Sequence, residues 1–191
     1  MTLSRHGVFT LPNFISVARL VLLVPLVIWL MRDPDGRILA TVALAVFGAT
    51  DWIDGFIARR WDMTSRVGAI LDPVADRLGI ALICLAMTVF GILPLWMLLV
   101  IVLTDVGLGI VGATRLHATA SSRVTWLGKI RTALIMTGLP LLLAGTARVL
   151  ADTPVGAIAL ALLSVGVVLH LAAGIHYALM LIRIGRQRPA A

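Results

Sequence analysis

ILATVALAVFGATDWIDGFIARRWDMTSRVGAILDPVADRLGIALICLAMTVFG, residues 38–91, begins and ends on apolar runs and carries all of its charge in between. Each run, extended to its nearest breakers, makes a helix from about Ile38 to Arg60 and from about Gly68 to Gly91. Both are near the roughly 20 residues that cross a bilayer. A short turn joins them, so they run antiparallel and their charged ends return to one membrane face. The chain has nine acidic residues, all of them aspartates. Asp51, Asp54, Asp62, Asp72 and Asp76 fall inside this hairpin.

The composition agrees with a bilayer as solvent. Sixty per cent of the 191 residues are hydrophobic and 13% are charged, against about 25% charged in soluble domains. Few polar helix faces or alternating strands are visible. The net charge of +7 is almost entirely arginine, with Lys129 the one lysine. In a membrane protein such charge marks cytoplasmic loops, so no nucleic-acid partner is implied. Arginines at the headgroup level also favour anionic lipid or phosphate ligands. Cys84 is alone, which excludes an intrachain disulfide and suggests inert packing. The first apolar run is followed by Met31-Arg32-Asp33-Pro34 rather than a small-residue cleavage site, so it reads as a retained helix.

Working outward from the hairpin, the punctuation predicts six spans in one membrane domain, residues 1–191. A short amphipathic lead with Arg5 and His6 precedes a first span from about Pro12 to Met31. RDPDGR turns into the second span, and GILP turns from the third into the fourth, about Leu95 to Arg115. A polar connection leads to a fifth, about Leu127 to Leu150, and ADTP precedes a sixth ending near Arg183. Basic residues gather at the N-terminus, the 59–66 turn, the 115–131 connection and the C-terminal tail; only Arg32, Arg37 and Arg148 lie on the other face. Both termini are therefore expected in the cytoplasm.

The aspartates have helical spacing. Asp51 and Asp54 are three apart, and Gly68, Asp72 and Asp76 are spaced by four, so each set shares a helix face. Four carboxylates at a membrane interface need compensating charge, and an acid inside a span is by default a functional residue. An all-oxygen set suits Mg²⁺ or Mn²⁺, with no paired Cys or suitably spaced His to indicate zinc. Four acids are enough for two bridged divalent ions, the arrangement of phosphoryl displacements. Gly55, Ala58 and Gly68 would let a phosphorylated ligand approach the helix backbones, and Arg59 could contact a phosphate bidentately. Taken singly, small residues in a span usually mean packing. Taken together, eight such positions in one hairpin call for a ligand.

D-x2-D-G-x2-A-R-x8-G-x3-D-x3-D is met by Asp51, Asp54, Gly55, Ala58, Arg59, Gly68, Asp72 and Asp76. The chain thus resembles the CDP-alcohol phosphotransferases, integral membrane enzymes of phospholipid synthesis, across nearly its whole length. The resemblance implies that the four aspartates hold two divalent cations and that Asp76 is also the general base. It implies that Gly55, Arg59 and Ser65 contact the CDP part of the lipid donor, and that Asn13 in LPNFISVAR approaches the nucleotide. The implied reaction moves the phosphatidyl group of CDP-diacylglycerol onto an alcohol with release of CMP, at the cytoplasmic face of the cell membrane. A homodimer is implied as well.

The 115–131 connection carries Arg115, Arg123, Lys129 and Arg131 on the expected active-site face, a set suited to an acceptor with its own phosphate. Ordinary positive-inside bias would also produce them. The resemblance favours Lys129 and Arg131, because a similar G-K motif lines the acceptor pocket of relatives. The look of the chain is nearest the phosphatidylglycerophosphate synthase and cardiolipin synthase branch. Glycerol 3-phosphate is placed first as acceptor, phosphatidylglycerol second and an inositol phosphate third. Thr104-Asp105 stands where bacterial phosphatidylglycerophosphate synthases usually have Arg-Glu, and is more like the cardiolipin type. His170 and His176 read as polar packing. A cation transporter, the reading of another class, needs polar residues continuing across the membrane. ILATVALAVF and LGIALICLAMTVF leave a one-sided pocket instead.

Overall fold

A computed structural model describes residues 11–60, 68–114 and 126–186, with side chains described over 14–50, 74–110, 126 and 128–180. The described residues form an all-α bundle of six long helices with no strand. The first, α1, covers residues 11–30 in three windings: α-helical Leu11–Ala18, π-helical Arg19–Leu23 and α-helical Val24–Leu30. Pro25 has no N–H to donate, so an unbroken ladder cannot run through it. The π turn, closed by the Val24 N–H on the Arg19 carbonyl, takes up the mismatch. π turns of this kind frequently mark functional sites.

The other helices are α2 (Arg37–Arg60), α3 (Gly68–Val89), α4 (Leu95–Thr114), α5 (Trp126–Gly145) and α6 (Val155–Arg186), with a 3₁₀ turn at Arg148–Leu150. Between α3 and α4, Gly91 takes the left-handed conformation at φ 70°. The Ile92 and Leu93 amides both return to the Met87 carbonyl at 2.8 and 3.1 Å, a glycine-dependent helix stop. The sequence expected α5 to reach about Leu150, but it ends at Gly145. There the chain turns tightly because Gly145 and Gly156 approach backbone to backbone, leaving no room for a Cβ on Gly145. Arg37 Nη1 also donates to the Thr146 carbonyl at 2.9 Å, and Arg148 pairs with Asp35 at 3.0 Å. Two of the three arginines on the sparsely charged face are thus engaged in tying loops together.

Helix α1 packs against both α2 and α3, α2 lies on α5, and α6 covers α5 and α4. The shared core includes Val27 and Met31 of α1, Phe47 of α2, Ile83 and Met87 of α3, Met97 of α4, Leu143 of α5 and Leu163 of α6. The outside is apolar too. Val89, Leu103, Ile110, Val168 and Ile175 are all more than half exposed, the pattern of helices that meet hydrocarbon rather than water. Among the described residues, Val155–Met180 of α6 is long and apolar enough to cross a membrane. Phe14–Leu30, Arg37–Thr50 and Leu95–Ile110 are shorter apolar stretches.

Candidate active site

The signature residues occupy the last ten residues of α2 and the start of α3. Asp51, Asp54, Gly55, Ala58 and Arg59 all lie on α2, and Gly68, Asp72 and Asp76 on α3, so the helical spacing read from the sequence holds in the backbone. Of their side chains only that of Asp76 lies within the described set, and Asn13 of α1 is likewise described only as backbone. Ser65, Arg115 and Arg123 lie outside the described residues.

Packing just beyond the aspartates brings α2 and α3 together. Phe47, one turn before Asp51, lies against Gly79, three residues after Asp76; a Cβ on Gly79 would stand 2.6 Å from the ring Cζ. Only a glycine admits the phenyl ring at that point. The face of the same ring receives the Arg19 guanidinium, 4.9 Å from its centroid, a cation–π contact that gains strength away from water. Arg19 Nη2 stands 3.6 Å from Asp76 Oδ1, with the arginine side chain 2% exposed and the aspartate 21%. Residues of three helices therefore meet at the Asp76 carboxylate, whose side chain keeps 21% of its surface exposed. Arg19 closes the LPNFISVAR segment, and its part in the site was not legible there. The signal that could have found it is a lone arginine followed by 12 uncharged residues, which needs an acid nearby.

A second polar group crosses the bundle from Arg77, the residue after Asp76. Arg77 Nε of α3 is 3.8 Å from Asp105 Oδ1 of α4. The same oxygen is 3.5 Å from His170 Nε2 of α6. His170 Nδ1 in turn is 3.0 Å from Arg131 Nη1 of α5. A guanidinium only donates, so Nδ1 is the acceptor and the imidazole carries its proton on Nε2, toward Asp105. The sequence reading of His170 as polar packing misses this bridging position. Lys129 and Arg131, read together as one basic set, diverge. Residues two apart on a helix face nearly opposite ways, and Lys129 lies over the exposed Trp126 ring at 5.2 Å.

The donor set fits hard divalent cations. All four signature acids are oxygen donors at helical spacing on α2 and α3, the hard donor type that such ions take. Asp51, Asp54, Asp72 and Asp76 are the residues that would hold the ions.

The profile of the CDP-alcohol phosphatidyltransferase family matches residues 9–182. The chain belongs to that family. It is a transferase. A cardiolipin synthase (CMP-forming) of Streptomyces coelicolor is 42% identical over 144 residues, covering 71% of this chain and 66% of that one, just under two thirds of its length. A Mycobacterium tuberculosis protein with a provisional cardiolipin synthase name is 32% identical over 98% of this chain and 90% of its own. The CDP-diacylglycerol–glycerol-3-phosphate 3-phosphatidyltransferase of Escherichia coli is 32% identical over 71% of this chain and 77% of that enzyme.

Proposed function

We propose that the protein transfers the phosphatidyl group of CDP-diacylglycerol to the glycerol hydroxyl of a phosphate-bearing acceptor, releasing CMP. The observation that carries this reading is the complete aspartate signature inside a family match spanning residues 9–182. The Phe47–Gly79 approach supports it by bringing together the two helices that bear the signature.

Asp51, Asp54, Asp72 and Asp76 hold two Mg²⁺ or Mn²⁺ ions in this proposal. Bound there, the ions supply charge neutralisation at the pyrophosphate and at the departing CMP. Arg59 binds a donor phosphate, Gly55, Ala58 and Gly68 leave room for the donor, and Asn13 and Ser65 bind its nucleotide part. Asp76 takes the proton from the acceptor hydroxyl as that oxygen attacks the phosphatidyl phosphorus, and Arg19 fixes the carboxylate for that transfer. Arg131 draws in the acceptor phosphate, with Arg115 and Arg123 from the preceding segment, whereas Lys129 stays over Trp126 on the other side of α5. Six spans in one domain, residues 1–191, with the site at the cytoplasmic face, keep the lipid tails in the bilayer while the nucleotide stays in water. A homodimer completes the proposal.

Of the acceptors, the relatives' identities support phosphatidylglycerol. The 42% match and the match along 98% of this chain both carry cardiolipin synthase names. Glycerol 3-phosphate is the second reading, favoured by Arg131 and the basic 115–123 segment before it, which suit a phosphomonoester. The test is CMP release by purified protein given CDP-diacylglycerol, Mg²⁺ and each acceptor in turn, with the lipid product identified. Acceptor-dependent CMP release with formation of cardiolipin is expected. Release of CMP with no acceptor dependence, or none at all, refutes the reading.

A further inference from the structure

We propose that Asp105 and His170 are positioning residues that set Arg77 and Arg131 as a single clamp for the acceptor phosphate. The inference rests on the transfer reading above and names the machinery of its acceptor side.

The geometry points to this in three steps. First, the four side chains come from four different helices, and three of them meet at one atom: Asp105 Oδ1 faces Arg77 Nε at 3.8 Å and His170 Nε2 at 3.5 Å. Second, His170 is 8% exposed at its side chain and passes the contact on, its Nδ1 accepting from Arg131 Nη1 at 3.0 Å. The His170 carbonyl lies 3.5 Å from the same nitrogen. A long arginine side chain carries roughly 2 kcal/mol of rotamer entropy, and two acceptors on one neighbour remove much of that freedom before a ligand arrives. Third, a bare backbone lets the helices come close enough. Gly174, one turn after His170 on α6, packs onto the Thr104 methyl of α4, and a Cβ there would overlap it. That contact sits beside Asp105 and sets its distance from His170.

The charge balance suits an anion. Two arginines and one carboxylate, with His170 neutral in the tautomer that accepts from Arg131, sum to one net positive charge. Arg77 is half exposed and follows Asp76 directly in sequence. Neighbours on a helix differ by about 1.5 Å in rise, so a phosphate held at Arg77 lies at nearly the same level along α3 as the residue assigned to take the acceptor's proton. The shared chemistry is a glycerol hydroxyl next to a phosphate, whether in phosphatidylglycerol or in free glycerol 3-phosphate.

The test uses purified full-length protein in detergent–lipid micelles, with CMP release measured against CDP-diacylglycerol and against each acceptor separately. For the acceptor that wild type uses, Asp105→Asn and His170→Phe are expected to raise the acceptor KM by about tenfold or more, as loss of an orienting neighbour commonly does. KM for CDP-diacylglycerol should stay within twofold. His170→Asn, whose amide oxygen stands near the Nδ1 position, should restore much of the acceptor KM lost in His170→Phe. The double variant should be little worse than His170→Phe, because both residues act along one chain of contacts. A merely structural role would instead shift both KM values together and lower thermal stability in step, without rescue by asparagine. That result overturns the inference, as does an unchanged acceptor KM in active variants. Wild-type protein that releases no CMP with either acceptor overturns the transfer reading, and this inference with it.

Discussion

Gly174→Ala probes the approach of α6 to α4 through a single atom. The added Cβ would overlap Thr104 Cγ2, while the next atoms are Thr104 Cβ at 3.8 Å and Leu108 Cδ1 at 4.0 Å, both ordinary contacts. One methyl group therefore accounts for the whole conflict. Overpacking of this kind costs about 1–3 kcal/mol, offset by about 0.5–1 kcal/mol because alanine favours a helix interior over glycine. The net expectation is a destabilisation of up to about 2.5 kcal/mol. Thr104→Ser removes the offending methyl and by itself loses about 0.8 kcal/mol of apolar burial. In the Gly174→Ala/Thr104→Ser double variant the overlap is gone, the helix gain remains, and stability should return to near wild type. The double-mutant cycle should thus give a coupling of about 1–3 kcal/mol. It is read from reversible unfolding of the four proteins by SDS titration in mixed micelles. A coupling under about 0.5 kcal/mol, or a serine that fails to relieve the alanine, refutes the close approach of the two helices.

Asp76→Asn should abolish CMP release while leaving the elution profile and helical content unchanged; near wild-type turnover would remove Asp76 as the base. Chelation with EDTA should stop CMP release by the wild type, and Mg²⁺ or Mn²⁺ should restore it, whereas activity persisting in chelator would exclude the aspartates as ion ligands. Gly79→Ala sets a Cβ against the Phe47 ring and should cost about 1–3 kcal/mol together with activity, both partly regained with Phe47→Leu; full activity in the single variant would contradict the α2–α3 approach. Arg148→Ala breaks an exposed pair with Asp35, and should change stability by less than about 1 kcal/mol and leave CMP release alone. A larger loss in unfolding measurements would show that the pair is not simply a surface contact.

Much of the signature was legible because it is local. Asp51 and Asp54 lie on α2, and Asp72 and Asp76 on α3, so spacing alone gives the face within each helix, and the helix bounds follow from Pro, Gly and charge. The end of α5 was less legible. Apolar residues continue to Leu150, and it takes the meeting of Gly145 with Gly156, together with Arg37 on Thr146, to stop the helix where it does. Lys129 and Arg131 look alike in GKIRT, yet one lies over Trp126 and the other reaches into the bundle.

The sequence by itself determined an all-helical chain, the family, and the eight-position signature, since each depends on residues close along the chain. Only the tertiary structure decided that Arg19 meets Asp76, and that Arg77, Asp105, Arg131 and His170 converge from four helices. The reason is the solvent. Where the outside of a helix is as apolar as its inside, as at Leu103 and Ile110 of α4, hydrophobic periodicity no longer marks the buried face. The rotation of each helix is then set by its polar and glycine contacts with the others.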